Sequence, residues 1–305
     1  MKAATVVANF GRQFVVRAND DGTTFTAVTR GKRGNVAVGD QVELGLLGAG
    51  QAVIDRVAPR RNEFKRSDAL RTKMLAANLD QAGIVIASEP AFAEELLVRV
   101  LMAAEAEGIP IAVIVNKHDL LQSRERIEPR IAVYRALGYP VFDCSAGSEP
   151  DATRRLLRPW LDGHTTLLLG ESGMGKSTLI NCLVPDAQLR TQAISEALGS
   201  GRHTTTFTRL FELPDDADGG RIIDSPGFQN FGLDHLSESE RVHAMPEFRP
   251  LLGQCRFYNC THCAEPGCAI RSAAEAGEID MKRYRLFVRL AEEARAIARA
   301  NPDRP

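Results

Sequence analysis

No stretch of the sequence stays apolar for the roughly 18 or more residues that a membrane-spanning helix requires, so no membrane partner is expected. A secretory signal is missing too: Met1-Lys2-Ala3-Ala4-Thr5 leads into alternating strand residues rather than an apolar core with a cleavage site, and a cytoplasmic location is expected. Net charge is only −1, while charged residues make up 25% and apolar residues 44%, the balance of an ordinary soluble protein. Cysteine is sparse and unevenly placed. Four of the six, Cys255, Cys260, Cys263 and Cys268, fall within 14 residues, and without an export signal such a cluster suits a metal rather than disulfides.

The near-zero charge conceals a division. Residues 1–66 carry 11 Lys and Arg against 6 Asp and Glu, residues 67–240 carry 16 against 25, and residues 241–305 carry 11 against 8. Basic flanks around an acidic centre suggest that the flanks meet a polyanion while the centre does something else. At 305 residues the chain is long enough for two or three domains, each with its own core.

Residues 3–8, 13–17, 24–30, 36–44 and 51–57 are short segments rich in Val, Thr and Phe, separated by Gly and Asp turns. Five strands at this spacing predict a small β-barrel, an OB-fold, over residues 1–62. Arg12, Lys32, Arg33, Arg56, Arg60 and Arg61 fall at turns and strand ends, where a nucleic-acid backbone can be reached. A barrel that docks another protein is the alternative. Residues 59–67 are polar and basic and read as a linker.

Beyond it the period changes. Residues 83–87 and 109–115 are continuous apolar runs bracketing the helical spacing of Leu96, Leu97, Val100 and Leu101, and a second helical segment at 124–137 leads to another run at 139–143. Strand alternating with helix predicts a parallel sheet with helical crossovers, an α/β domain over residues 68–234.

Within it, an apolar strand runs into Gly170-Glu171-Ser172-Gly173-Met174-Gly175-Lys176-Ser177-Thr178 and then into a helix, the GxxxxGKS pattern of a P-loop in its required setting. The glycines let successive N–H groups turn inward, and the helix N-terminus adds its positive dipole end, so the loop can wrap a phosphate chain. Lys176 is placed to reach the terminal phosphates and Ser177 to bind Mg²⁺. The run ending at Val115 is followed by Asn116-Lys117-His118-Asp119, the pattern NKxD. Asp119 can accept two hydrogen bonds from the N1–H and N2–H₂ edge of guanine, Lys117 can lie along the base, and Asn116 can tie this loop to the P-loop. Ser145-Ala146, after the next strand, is placed to give a backbone N–H to the guanine O6.

Downstream lie Gly201-Arg202-His203-Thr204-Thr205-Thr206, in which Thr205 is the candidate second ligand of Mg²⁺, and Asp224-Ser225-Pro226-Gly227, a DxxG element. There Asp224 would hold Mg²⁺ through water and the Gly227 N–H would sense a γ-phosphate. The glutamine that follows this glycine in many GTPases is absent; the position is Phe228, which cannot orient water. His203 is the candidate replacement.

These elements stand in a rearranged order, with the guanine-reading segments ahead of the P-loop. With Gly201 to Thr206, Asp224 to Phe228 and the C-terminal cysteines, the chain resembles the RsgA/YjeQ family of bacterial small-subunit assembly GTPases over nearly its whole length. The resemblance implies a circularly permuted GTPase that binds GTP, GDP and Mg²⁺, with the small ribosomal subunit and its rRNA as partner, acting as a monomer. It also implies a helical domain over residues 235–305 held by one Zn²⁺ on Cys255, Cys260, His262 and Cys268, the set of a closed structural site. Cys263 is a fifth candidate. Lys282, Arg283, Arg285, Arg289, Arg295 and Arg299 belong either to a solvated helix face or to an RNA contact. Family members often carry a longer basic N-terminal extension, so no ribosome contact through such a tail is expected here.

A P-loop ATPase or kinase is one rival reading, and a nonenzymatic RNA-binding protein with a structural nucleotide is another. Asp119→Asn separates the first: the new amide should weaken GTP binding and improve binding of xanthosine triphosphate, whose altered edge it can pair. Unchanged GTP affinity in a titration would remove Asp119 from the base site.

Overall fold

The computed structural model describes residues 2–30, 35–67, 72–189, 207–214 and 219–300. Strands β1 (Lys2–Asn9), β2 (Phe14–Ala18), β3 (Thr24–Thr29), β4 (Gln41–Gly48) and β5 (Gln51–Val57) form an OB-like barrel. Alternate residues point inward, and Val6, Phe14, Val16, Leu44 and Ile54 pack a core of their own. The strands run in the order β1-β2-β3-β5-β4, and β4 closes back on β1.

The strand expected over 36–44 starts only at Gln41. Gly39 has φ of +94°, and the buried Asp40 carboxylate accepts the Ala37 N–H at 2.8 Å, so the preceding residues turn rather than extend. The same carboxylate holds Arg60, whose Nε donates to Oδ1 at 2.6 Å while Nη1 reaches Glu63 at 2.7 Å. Arg60 is therefore an internal strut and not one of the backbone-contacting arginines that its place in the sequence suggested.

The stretch read as a linker is half strand. Glu63–Ser67 (β6) pairs antiparallel with Thr72–Ala77 (β7). Phe64 is fully buried, with its ring 6.1 Å from that of Phe231. The charges of Glu63, Lys65 and Arg66 hid a strand whose buried residues are Phe64 and Ser67.

The α/β region follows as β8 (Gln81–Ala87), α1 (Glu94–Ala106), β9 (Ile111–Asn116), α2 (Leu121–Ala136), β10 (Val141–Asp143), α3 (Pro150–Leu161), β11 (Thr165–Gly170) and α4 (Lys176–Leu183), then β12 (Thr208–Glu212) and β13 (Arg221–Asp224). Every residue of β8 and β9 is buried, as expected of strands covered by helices on both faces. The order is β10-β9-β8-β11-β13-β12, parallel except for β12. β12 also pairs antiparallel with the end of β1, Ala8 opposite Arg209 and Asn9 opposite Thr208, so barrel and α/β sheet are one continuous sheet.

The C-terminal segment contains α5 (Glu238–His243), started by a capping box of Ser237 and Glu240, then α6 (Ala269–Glu275) and α7 (Met281–Ala300). Its buried Phe248, Ile270 and Phe287 join the core of the α/β region. Fully buried Arg283 is paired with Glu247 at 2.5 Å, an arrangement whose loss on one side leaves an uncompensated charge.

The β6–β7 hairpin is fastened to the chain beyond β13. The Ser67 N–H donates to the Gly232 carbonyl at 2.9 Å, and a Cβ on Gly232 would stand 2.0 Å from the Ser67 carbonyl oxygen. The Ser67 hydroxyl accepts the His235 N–H at 3.1 Å and lies 2.5 Å from His235 Nδ1. Burial, reinforced by Lys65 and Arg241, pushes the imidazole down to about 4. The folded chain therefore favours the neutral ring more than the unfolded chain does, whose histidine titrates near 6.5. The stability so gained is complete above about 6.5 and is lost as pH falls toward 4. The melting midpoint should drop through that window, and His235→Asn should flatten the drop; an equally steep profile in the variant would remove His235 as its source.

Candidate nucleotide site and metal centre

Parallel strands deliver their loops to one edge, and here four of them do so together. β11 ends in the P-loop, β9 in Asn116, β10 just before Ser145 and β13 in Asp224. The P-loop turns through Gly170, Gly173 and Gly175, with φ of +157°, +88° and +86°. Glycine is required at two of these for a further reason: a Cβ on Gly170 would meet the Val85 carbonyl oxygen at 2.7 Å, and one on Gly175 would meet Asn116 Nδ2 at 2.3 Å.

Asn116 is buried and spans two loops. Its Nδ2 donates to the Met174 carbonyl at 3.1 Å, and its Oδ1 accepts the Ala146 N–H at 3.0 Å. Lys117, at φ of +59°, donates from Nζ to the Gly173 and Glu89 carbonyls, each at 2.8 Å, and burial lowers its pKa. The Asp119 N–H donates to Ser145 Oγ at 3.0 Å. Residues 116–119 and 145–146 thus form one wall with the P-loop. Glu171 accepts the Ala93 N–H at 2.8 Å, bracing the loop against the start of α1.

Lys176 is buried, pairs with Asp224 Oδ1 and donates to the Ser225 carbonyl at 2.6 Å. Burial raises the Asp224 pKa, with Lys176 opposing. The other carboxylate oxygen, Oδ2, is buried and has no protein partner. An orphaned carboxylate oxygen beside the start of α4, where Ser177 and Thr178 stand, suits a water of a hydrated Mg²⁺. Gly227 and Ser172 line a cavity of about 1120 Å³ that also reaches Arg66, Arg99, Gln229 and Glu293. Phe228 is buried against Phe231, ring centroids 5.3 Å apart. Thr205 and His203 lie outside the described residues.

Arg99 was not singled out by the sequence, where it is one charge among many on α1. Its guanidinium pairs with Glu95 and Glu293 and reaches the Phe231 carbonyl at 3.4 Å, joining α1, α7 and the segment after Asp224.

Toward the C-terminus, one ligand atom each from Cys255, Cys260, His262 and Cys268 fall within 4.8 Å of one another. His262 Nδ1 lies 3.5 Å from Cys255 Sγ and 3.6 Å from Cys268 Sγ. Tetrahedral zinc with bonds of about 2.0–2.3 Å separates its ligand atoms by roughly 3.5 Å, so the donor set and spacing fit. Cys263 is outside the group, its thiol directed to the Thr261 carbonyl at 3.4 Å. Two residues without a cysteine signal hold the loop. Glu265 accepts from the N–H groups of Thr261 and Ala264 at 3.0 and 3.2 Å, and Tyr284 OH donates to the His262 carbonyl at 3.0 Å, fixing a histidine at φ of +62°.

Three comparisons with known proteins agree with this geometry. The family model for RsgA GTPase matches residues 57–234. The small ribosomal subunit biogenesis GTPase RsgA of Paraburkholderia xenovorans (strain LB400) is 53% identical over 296 residues, 96% of this chain and 94% of that protein. The protein of the same name from Burkholderia pseudomallei (strain K96243) is 52% identical over 294 residues, 96% and 93% of the two chains. Among solved structures, YjeQ from Thermotoga maritima superposes with a TM-score of 0.73 at 27% identity, covering 96% of this chain and 98% of its own. YloQ, described as a circularly permuted GTPase, gives 0.68 at 25% identity over 97% and 96%. The similarity runs through the barrel, the α/β region and the C-terminal segment alike, and the chain belongs to the RsgA GTPase family.

Proposed function

We infer that this chain hydrolyses GTP to GDP and phosphate and acts in biogenesis of the small ribosomal subunit. One observation carries the reading: Asn116 hydrogen-bonds the P-loop and the Ser145-Ala146 loop at once, which makes a guanine-type pocket and a phosphate cradle a single site. In this reading Asp119 reads the guanine edge, Lys117 lies along the base, Ser145 and Ala146 close its far side, and residues 170–178 wrap the phosphates with Lys176 at their end. Ser177, Thr205 and Asp224 would hold Mg²⁺, which when bound neutralises charge on the β- and γ-phosphate oxygens. Water attacks the γ-phosphorus, the bond to the bridging oxygen breaks, and GDP leaves. Phe228 is turned into the core and cannot orient that water, which makes His203 the candidate to position it or accept its proton. The Gly227 N–H reports whether the γ-phosphate is present.

The partner is the small ribosomal subunit, with rRNA as the contacted surface and the chain acting as a monomer in the cytoplasm. No helix among the described residues is long and apolar enough to cross a membrane. Several arginines counted toward an RNA surface are engaged within the protein: Arg283 with Glu247, Arg289 with Glu95 and Arg295 with Glu238. Arg289 nevertheless keeps 59% of its side chain exposed, so RNA contact along α7 falls to Lys282, Arg285, Arg289 and Arg299. One Zn²⁺ on Cys255, Cys260, His262 and Cys268 supplies folding energy to a loop-rich segment.

Phosphate release measured with and without purified small subunits tests the function. Release should be slow alone and rise on adding subunits; no stimulation would favour a nucleotide that is only structural. In single-turnover hydrolysis, His203→Ala should lose most of the stimulated rate while still binding subunits, and an unchanged rate would assign the water to another group. Metal analysis should find one zinc per chain and none in Cys260→Ala, with GTP binding kept; full retention would point to Cys263 as a ligand.

A further inference from the structure

The loop between the first two cysteines of the metal set turns its ligands inward and its remaining side chains out. Tyr258 is fully exposed at 102% relative exposure and Phe257 is 41% exposed. The Arg256 guanidinium carbon lies 5.4 Å from the Phe257 ring centroid. Isolated apolar side chains on a surface are ordinary; two adjacent rings with a cation over one of them form a composite surface.

This loop is braced from behind. The Arg256 N–H donates to the Gly267 carbonyl at 2.9 Å, the Cys260 N–H to the Phe257 carbonyl at 3.3 Å, and Tyr284 and Glu265 hold the residues that follow. Gly267 permits the close approach, because a Cβ there would stand 2.9 Å from Arg256 Cβ. A ring on a fixed backbone loses little freedom on binding, so more of its contact energy is retained.

Beside the rings runs a groove of about 540 Å³ walled by α5, with Ser239, His243 and Asn259 among its lining residues. Residues 255–263 contain no carboxylate. The acidic residue lining the groove, Glu238, is paired with Arg295. Exposed rings, a guanidinium, a free-standing amide and little negative charge suit a ligand that offers flat faces, polar edges and phosphates. A folded protein partner would instead call for a broader apolar patch; here the aliphatic lining beside the two rings is confined to Val242 and Leu252.

We propose that Arg256, Phe257 and Tyr258 form a stacking surface for unpaired bases of RNA. The inference rests on the ribosomal reading above, which makes rRNA the ligand. Stacking is tolerant of base identity, and the surface therefore contributes affinity and placement more than sequence choice.

The test uses the full chain and its variants Tyr258→Ala and Tyr258→Trp, with binding measured to purified small subunits and, separately, to protein-free rRNA of that subunit. Because Tyr258 is fully exposed, zinc content and melting should match the parent. Tyr258→Ala should weaken binding to both targets by about 5- to 100-fold, the loss of one stacked base, and Tyr258→Trp should restore it. Equal affinities for parent and Tyr258→Ala would overturn the proposal. A loss confined to intact subunits, with free rRNA bound as before, would also overturn it and give the surface to a ribosomal protein. If the parent ignores subunits but binds RNA and Tyr258→Ala still weakens that binding, the ribosomal reading fails and the stacking surface stands.

Discussion

The side chain of Asn116 is the joint on which the site depends. It is a neutral amide with both a donor and an acceptor, and both are used: the donor on the Met174 carbonyl, the acceptor on the Ala146 N–H. A carboxylate in its place would lose the donor, and the amide sits so close to Gly175 that a Cβ added there would stand 2.3 Å from Nδ2. Three loops from three strands are thereby held in one register without any direct covalent link between them. That the loops after β9 and β10 precede the P-loop in sequence is immaterial to this joint, because a parallel sheet sorts loops by strand end and not by chain order.

Permutation does matter to what lies on either side. In this order the strand that ends at Asp224 leads directly into the chain that meets the β6–β7 hairpin through Ser67 and Gly232, and then into α5 and the metal segment. On the other side, β12 pairs with β1, so the barrel extends the nucleotide-binding sheet edge to edge. The C-terminal helices share a core with the α/β region, while the barrel keeps a separate one. A shift at the Asp224 to Gly227 turn would therefore be felt by packed side chains and hydrogen bonds on both sides. Arg99, joined at once to α1, α7 and the Phe231 carbonyl, is placed to transmit it.

Charge shows how far composition can mislead. The basic excess of the two flanks is real in the sequence, yet Arg60, Arg283, Arg289 and Arg295 are engaged within the protein. An exposed pair contributes little to stability; the buried pair of Arg283 and Glu247 is different, since removing either partner strands the other in a low dielectric. The cations left outside such pairs are therefore fewer than the composition suggests.

The sequence by itself determined the fold class, the OB-like barrel, the permuted order of the nucleotide motifs and a cysteine cluster of metal-binding type, in which the choice against Cys263 was left to the tertiary structure. Each of these is local: a glycine pattern, an apolar run or a spacing of cysteines constrains the backbone within a few residues of itself. The tertiary structure alone decided which charges are free, because an ion pair such as Arg99 with Glu293 joins residues 194 positions apart and leaves no periodic trace. It also decided that residues 63–67 are a strand, since one buried ring, Phe64, gains its partner from Phe231 far along the chain. Burial of a polar group and the pairing that makes it tolerable are long-range events, and a single sequence read residue by residue carries neither.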